Sequence, residues 1–333
     1  MKALLSHAAG GPETLAVEYR PDPVPGPGEV LVKVRACSVN YPDALILRDM
    51  YQFKPQRPFA PGSEIAGIVE SVGDRVTAWN PGDRVIGLTG HGGMAEKVVV
   101  AETSLFDLPF DVSFETGASL LMAYGTTIYA LKDRAQLKPG ETLLVLGAAG
   151  GVGLAAVELG KALGARVVAG VSSEDKAAAV REAGADEVVV YGRAPFDKNQ
   201  LRELAEKFKT ACGYEGAHVV YDIVGGNYSE PALRAIAWEG RFLVVGFPAG
   251  IAKLPLNLTL LKSCDVRGVF WGAFVARNPG RTAELVDELF GLISAEKISP
   301  RISATFPLER GGDAIAALEA RQVIGKLIVR MGD

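Results

Sequence analysis

The residues best suited to chemistry lie between Leu143 and Gly164. There the apolar run Leu-Leu-Val-Leu meets Gly147-Ala148-Ala149-Gly150-Gly151-Val152-Gly153, and a helical stretch follows. Small residues at such a turn serve three needs: a tight passage from strand to helix, close backbone approach to a pyrophosphate, and close packing of helix on sheet. The amino end of the helix offers free N–H groups and the positive end of its dipole to phosphate oxygens. A Gly-x-Gly-x-x-Gly spacing is weak alone, and Ala148 takes its first position here. Its weight comes from the setting, a strand, loop and helix at the head of a series of βαβ units. The segment therefore reads as a dinucleotide site, with Ala149, Gly150, Gly151 and Val152 at the phosphates.

The end of the next strand decides which dinucleotide. An NAD site places an acid about 20 residues on to hold the ribose 2′-hydroxyl. Here the chain reads Val171-Ser172-Ser173-Glu174-Asp175-Lys176. The strand ends in hydroxyl residues, while Glu174 and Asp175 fall in the first turn of the following helix, with Ser173 as its cap. Lys176 is placed to meet a 2′-phosphate, although a solvated helix face is the plain alternative, and Tyr191 after the third strand forms a further wall. A 2′-phosphate carries about two negative charges that a carboxylate would repel. The missing acid therefore points to NADPH.

These groups must be held by regular elements. The first third reads as short strands between Gly and Pro punctuation: an opening strand at Met1–Leu5, then Glu29–Ala36, Glu64–Val72, Arg84–Leu88 and Ala95–Val100. Around Ser113–Lys132 the pattern turns helical. From Glu141 to about Gly272, strands at Leu143–Leu146, Arg166–Val171, Glu187–Val190, Ala217–Asp222, Arg241–Val245 and Val266–Phe270 alternate with amphipathic helices. Six such strands suit a doubly wound parallel sheet. The tail reads as a helix near Thr282–Ser294, a strand near Arg301–Phe306, a helix near Gly311–Ala320 and a strand at Lys326–Arg330.

Composition narrows the partners. At 333 residues the chain suggests two domains, and 48% hydrophobic with 22% charged residues is an ordinary globular balance. A net charge of −4 lacks the clustered cations of a nucleic-acid footprint. No apolar run of about 18 residues is present to span a bilayer, and the first residues do not resemble an export signal, so a cytoplasmic protein is expected. Cys37, Cys212 and Cys264 form no CxxC pair, and His7, His91 and His218 lie in different segments, which fits idle thiols and loop or core imidazoles better than a metal site.

Taken together, Gly62-Ser63-Glu64-Ile65-Ala66-Gly67, Pro81-Gly82-Asp83-Arg84-Val85, the Ala148–Gly153 loop and Tyr221-Asp222-Ile223-Val224-Gly225-Gly226 resemble the medium-chain dehydrogenase/reductase superfamily over essentially the whole chain. The resemblance implies an α/β fold: a Rossmann doubly wound parallel sheet at 123–272, inserted into a GroES-like β-rich catalytic domain formed by 1–122 with 273–333. Alcohol-oxidising members hold a catalytic zinc on a Cys, on the His of a Gly-His-Glu motif and on a third ligand. Here Asn40 stands at the Cys position and Ser63 at the His position, so no metal is expected.

The zinc-independent quinone oxidoreductase branch matches better. It is similar in the Asn and Asp of Ser38-Val39-Asn40-Tyr41-Pro42-Asp43, in an aromatic after the next helix, Tyr51, in the glycine loop, and in Lys176 and Tyr191 at the 2′-phosphate. The resemblance also implies cofactor contacts at Thr127, Val224, Gly246, Phe270, Trp271 and Arg321, and a homodimer formed through sheet edges near Val266–Phe270. A buried helix position is the alternative for Thr127.

Without a metal to polarise a carbonyl, the easiest reaction is hydride delivery from NADPH to a conjugated acceptor that spreads the arriving charge itself. Asn40 would bond the acceptor or the nicotinamide ribose, or else serve as a turn residue bonded to its own backbone. Asp43 would brace that loop, and Tyr41 or Tyr51 would donate to the developing oxyanion. The expectation is an NADPH:quinone oxidoreductase acting on small quinones or enones. The rivals are an NADPH-dependent reductase of 2-alkenals or enoyl thioesters, for which Phe270, Trp271 and Phe274 offer an aromatic wall that simple core or interface packing would equally explain, and a catalytically silent NADPH-binding protein.

Overall fold

The protein is described by a computed structural model covering residues 1–321 and 323–332. It divides into two compact units, Met1–Met122 with Pro300–Asp333, and Ala123–Ser299.

In the first unit, β1 (Lys2–Ser6) and β2 (Leu15–Tyr19) form an antiparallel pair. A larger sheet is built on the long strand β3 (Glu29–Val39), with β4 (Glu64–Val72), β5 (Arg84–Leu88), β6 (Lys97–Ala101) and β7 (Leu105–Asp107) around it. Its β-branched run Val30, Val32, Val34 is fully buried and joins Ile65, Val69 and Val85 in one core. A short helix, Tyr41–Leu47, follows β3 directly and carries Asp43 into the interior.

The second unit is a six-stranded sheet of β8 (Thr142–Leu146), β9 (Arg166–Val171), β10 (Glu187–Val190), β11 (Ala217–Asp222), β12 (Ile236–Val244) and β13 (Asp265–Gly268). All neighbours run parallel in the order β10-β9-β8-β11-β12-β13, the doubly wound arrangement. Strand β8 is buried at every residue, which its unbroken apolar run anticipates for a central parallel strand. The helix Lys198–Cys212 starts on a reciprocal cap, in which Asp197 accepts from the Asn199 and Gln200 amides and the Gln200 side chain accepts from the Asp197 amide. It buries Leu204, Ala205, Phe208 and Cys212.

The chain then returns to the first unit, where β14 (Ile302–Pro307) pairs parallel with β15 (Lys326–Arg330) and β15 pairs antiparallel with β3.

The division of the chain differs from the one expected. The division falls after Ser299 rather than after Gly272, because the helix Pro279–Ser294 is tied to the segment at 129–134 by the ion pairs Lys132–Glu288 (2.6 Å) and Arg281–Asp133 (2.8 Å). The helical pattern around Ser113–Lys132 takes the form of short α-helical turns and two π-helical stretches, Leu121–Gly125 and Tyr129–Arg134.

Phe208 is fully buried in the second unit's core. Phe208→Ala should lower stability by about 3–5 kcal/mol, read as a shift in the urea midpoint.

Candidate functional site

The second unit gathers its candidate residues by topology alone. In a doubly wound sheet, ligands bind beyond the carboxyl ends of the strands, at the point where the strand order reverses. That point lies between β8 and β11, where Gly147 meets Val224 so closely that a side chain on Gly147 would come within 2.8 Å of the Val224 Cγ2 atom. Ala149, Gly150, Gly151 and Val152 follow β8, Ser172, Ser173 and Lys176 follow β9, Tyr191 follows β10, Val224 follows β11 and Gly246 follows β12. Phe270 and Trp271 follow β13. All of these leave the sheet at its carboxyl edge.

The glycine loop fits a pyrophosphate. Gly147 has φ 68°, a left-handed turn that a side chain would strain. A Cβ on Gly153 would lie 2.3 Å from the Gly147 carbonyl oxygen, so helix Gly151–Ala162 and the loop can pack only with hydrogen there. Gly150, the N-cap of that helix, has no side chain to bond the first turn, and its Cβ position meets nothing nearer than 3.7 Å. The helix end is thus left open for an anion. Ser173 is the N-cap of the helix Glu174–Glu182, but its side chain makes no cap bond, and Lys176 sits half-buried in the first turn.

Several of the expected contact residues have partners within the protein. The Thr127 hydroxyl is fully buried, donates to the Ala123 carbonyl (2.8 Å) and meets the Tyr221 hydroxyl (2.9 Å), so the plain alternative, a buried helix threonine, describes its position. The Tyr191 hydroxyl accepts from the Gly147 amide (3.1 Å), bracing the glycine loop, and burial pushes its phenol pKa up. Trp271 is buried and stacks on Phe274, which stacks on Tyr129 at 4.1 Å, so this aromatic group is largely internal packing, while Phe270 is 60% exposed. Arg321 stands in the first unit after the helix Gly311–Glu319, with φ 56°.

The first unit holds the second group. Asn40 follows β3 directly and caps helix Tyr41–Leu47; its backbone amide donates to Asp43 Oδ2 (2.7 Å), and the other oxygen of Asp43 accepts from the Gly62 amide (3.1 Å). Asp43 therefore ties the Asn40 and Gly62 amides together. The Asn40 carboxamide faces a network that the sequence did not reveal. Its Nδ2 donates to Ser38 Oγ (2.9 Å) and Glu64 Oε2 (3.2 Å), and its Oδ1 accepts from Lys326 Nζ (2.6 Å). Lys326 also lies 3.5 Å from Glu64, and their side chains are only 5% and 0% exposed. Glu64 further accepts from Ser38 Oγ (2.5 Å) and the Met122 amide (2.9 Å). Ser63, the residue before Glu64, is buried with a hydroxyl that has no partner.

Burial drives the electrostatics here. It raises the Asp43 pKa to about 6 against the pull of two backbone N–H groups and Lys326. Burial, and then the Asp43 charge, hold the Tyr51 phenol above its ordinary value. Tyr51 packs half-buried against the core, whereas Tyr41 is 38% exposed, so Tyr51 is the tyrosine next to this cluster. Among the described residues, no group of three or more His, Cys, Asp or Glu could hold a metal ion.

Lys326→Met would leave Glu64 as an uncompensated buried charge and should cost about 3–5 kcal/mol in denaturant titrations. Asp43 binds its proton more tightly folded, at about 6, than its ordinary value of 3.8. Its contribution to stability is therefore full below about pH 4 and is lost as pH rises through 6. The stability of the native protein minus that of Asp43→Asn should fall by about 2 kcal/mol between pH 4 and 6.5 in paired urea titrations.

Comparison with known proteins agrees with this architecture. The Alcohol dehydrogenase GroES-like domain family matches residues 26–110, and the family described as Zinc-binding dehydrogenase matches residues 151–290. The chain is 36% identical to the quinone oxidoreductase-like protein 2 homolog of Nematostella vectensis, over 98% of this chain and 88% of that one. It is 37% identical to the quinone oxidoreductase of Pseudomonas aeruginosa, over 97% of both. The crystal structure of Escherichia coli quinone oxidoreductase complexed with NADPH superposes with a TM-score of 0.89 at 29% identity, covering 99% of this chain and 100% of the other. Two domain families in the expected order, whole-length relatives above 30% identity and a matching fold place the chain in the quinone oxidoreductase branch of the medium-chain dehydrogenase/reductase superfamily.

Proposed function

We propose that the protein is a zinc-independent, NADPH-dependent reductase of quinones and related conjugated carbonyls. The observation that carries this reading is the buried Asn40–Lys326 pair, in which an amide at the position resembling a zinc-ligand Cys of metal-dependent members is bonded to an ammonium group. Neither Asn40 nor Ser63 is a zinc ligand of the usual kind. Charge that develops on a substrate must then be spread by the substrate and met by hydrogen bonds, which suits a conjugated acceptor.

The glycine loop at 149–152 with the amino end of its helix would hold the pyrophosphate, and Ser172, Ser173 and Lys176 the 2′-phosphate. Val224, Gly246, Phe270 and Arg321 are proposed as further contacts. Bound NADPH supplies the hydride. Asn40, fixed by Lys326, Glu64 and Ser38, would orient the acceptor, and Asp43 holds the Asn40 and Gly62 amides in place. Tyr51 would donate a hydrogen bond to the acceptor oxygen, and the reduced oxygen takes its proton from water. Structures and relatives bearing the quinone oxidoreductase name, some complexed with NADPH, support this reading.

A cytoplasmic homodimer is part of the proposal. No described helix is long and apolar enough to cross a membrane, and Cys37, Cys212 and Cys264 are all free. Strand β13 is the edge of its sheet, and Leu256, Leu260, Leu261, Val266 and Phe270 nearby are 42–78% exposed. An apolar sheet edge of this kind is a liability unless another chain covers it.

With 1,4-benzoquinone as acceptor, NADPH should be preferred over NADH by roughly tenfold or more, about 1.4 kcal/mol, and Lys176→Ala should remove most of that margin. A tenfold preference for NADH would reverse the cofactor assignment. Exhaustive chelation should leave the rate unchanged, and a loss restored by zinc would count against the metal-free reading. In size-exclusion chromatography, Leu260→Asp should elute later than the native protein.

A further inference from the structure

We propose that Ser63 is a catalytic hydrogen-bond donor whose hydroxyl meets the carbonyl oxygen of the acceptor. The proposal rests on the reading of the protein as a reductase of conjugated carbonyls and adds a residue to that site.

Ser63 is 6% exposed, and its Oγ is the one buried hydroxyl without a partner among the described residues. A buried polar group left unpaired costs about 1–3 kcal/mol, so its retention calls for a purpose. Its surroundings hold it in place. The Gly62 amide donates to Asp43 (3.1 Å), and the Gly62 carbonyl accepts from Thr89 Oγ1 (2.8 Å) and the Gly93 amide (2.9 Å). The Ser63 carbonyl accepts from the Thr89 amide (3.0 Å), and the Pro61 carbonyl from the Met94 amide (2.8 Å). Gly62 has φ 100°, and a side chain there would strike Cys37 Sγ at 2.6 Å and the Met94 nitrogen at 2.7 Å, so the segment cannot slide.

The next residue, Glu64, is occupied by Ser38, Asn40 and Met122, and its charge is compensated by Lys326. Ser63 is therefore the chain neighbour of Glu64, a partner of Asn40, on a pinned backbone, and among the described residues its hydroxyl has no bond to surrender before it serves a ligand. A donor fixed in this way stabilises charge as it develops, without reorganisation. The Ser63 proton is not consumed: hydride reaches carbon from NADPH, the acceptor oxygen takes its proton from water, and NADP⁺ and the reduced acceptor leave.

Two measurements on the native protein, Ser63→Ala and Ser63→Thr test this. One is kcat/KM with NADPH and 1,4-benzoquinone. The other is the affinity of the NADP⁺-saturated protein for 4-nitrophenolate, an oxyanion that needs no turnover. Ser63→Ala should lose roughly tenfold or more in both, Ser63→Thr should stay within about threefold of native, and NADP⁺ affinity should hold within about twofold. A loss in either measurement that Thr restores supports the proposal. Native-like behaviour of Ser63→Ala in both, or absence of both turnover and phenolate binding in the native protein, overturns it. So does a loss that Thr does not restore, or a parallel loss of NADP⁺ affinity, which marks a structural role. A native protein that binds phenolate through Ser63 but reduces no quinone upholds the hydroxyl and defeats the quinone reading alone.

Discussion

An ammonium group taken out of water must be met by a negative charge and by hydrogen bonds, or the fold that buries it is lost. In the first unit that constraint falls on Lys326. Its partners are Glu64, fully buried at the start of β4, and Asn40 directly after β3. Strand β15, which carries Lys326, pairs with β3, so one charge cluster ties together three strands of one sheet. Both donors of the Asn40 carboxamide are assigned, to Ser38 and Glu64, and its oxygen accepts from the ammonium. The orientation of the amide is therefore a property of the whole sheet, and Asp43 adds the last restraint through the Asn40 backbone.

The second unit answers a different demand, which is to bring backbone close to a highly charged ligand while covering that backbone elsewhere. Hydrogen at Gly153 lets the helix start against the loop, and the Tyr191 hydroxyl engages the Gly147 amide. Asp222 does the same for the loop after β11. Its carboxylate accepts from the Val224 and Gly225 amides and from Ser229 Oγ, and burial nonetheless pushes its pKa up. Both loops at the reversal of strand order are thus braced by buried side chains.

Most of the fold was legible because its signals are local. Glu64–Val72, Arg84–Leu88, Arg166–Val171, Glu187–Val190, Ala217–Asp222 and Lys326–Arg330 occur with the bounds read from apolar runs and turn residues. What escaped depends on contacts distant in sequence. The helix at 279–294 belongs with 123–299 because of ion pairs to Lys132 and Asp133, which no periodicity announces. Strand β12 begins at Ile236, before the expected Arg241, since its apolar run is interrupted by Glu239 and Gly240. In the site, Asn40 and Asp43 are marked by the resemblance to the quinone oxidoreductase branch, whereas Lys326 opens a strand with nothing local to single it out. Its partner Asn40 is 286 positions away.

That separation bears on how the protein is made. A ribosome releases Asn40 and Glu64 long before Lys326, so a nascent chain that has emerged only through the second unit holds a carboxylate in the first with no cation to neutralise it. The second unit, continuous from 123 to 299, can close while the first waits. Vectorial synthesis therefore delays burial of Glu64 until the returning strands arrive, and chains that stall earlier retain an unfinished first unit exposed to proteolysis.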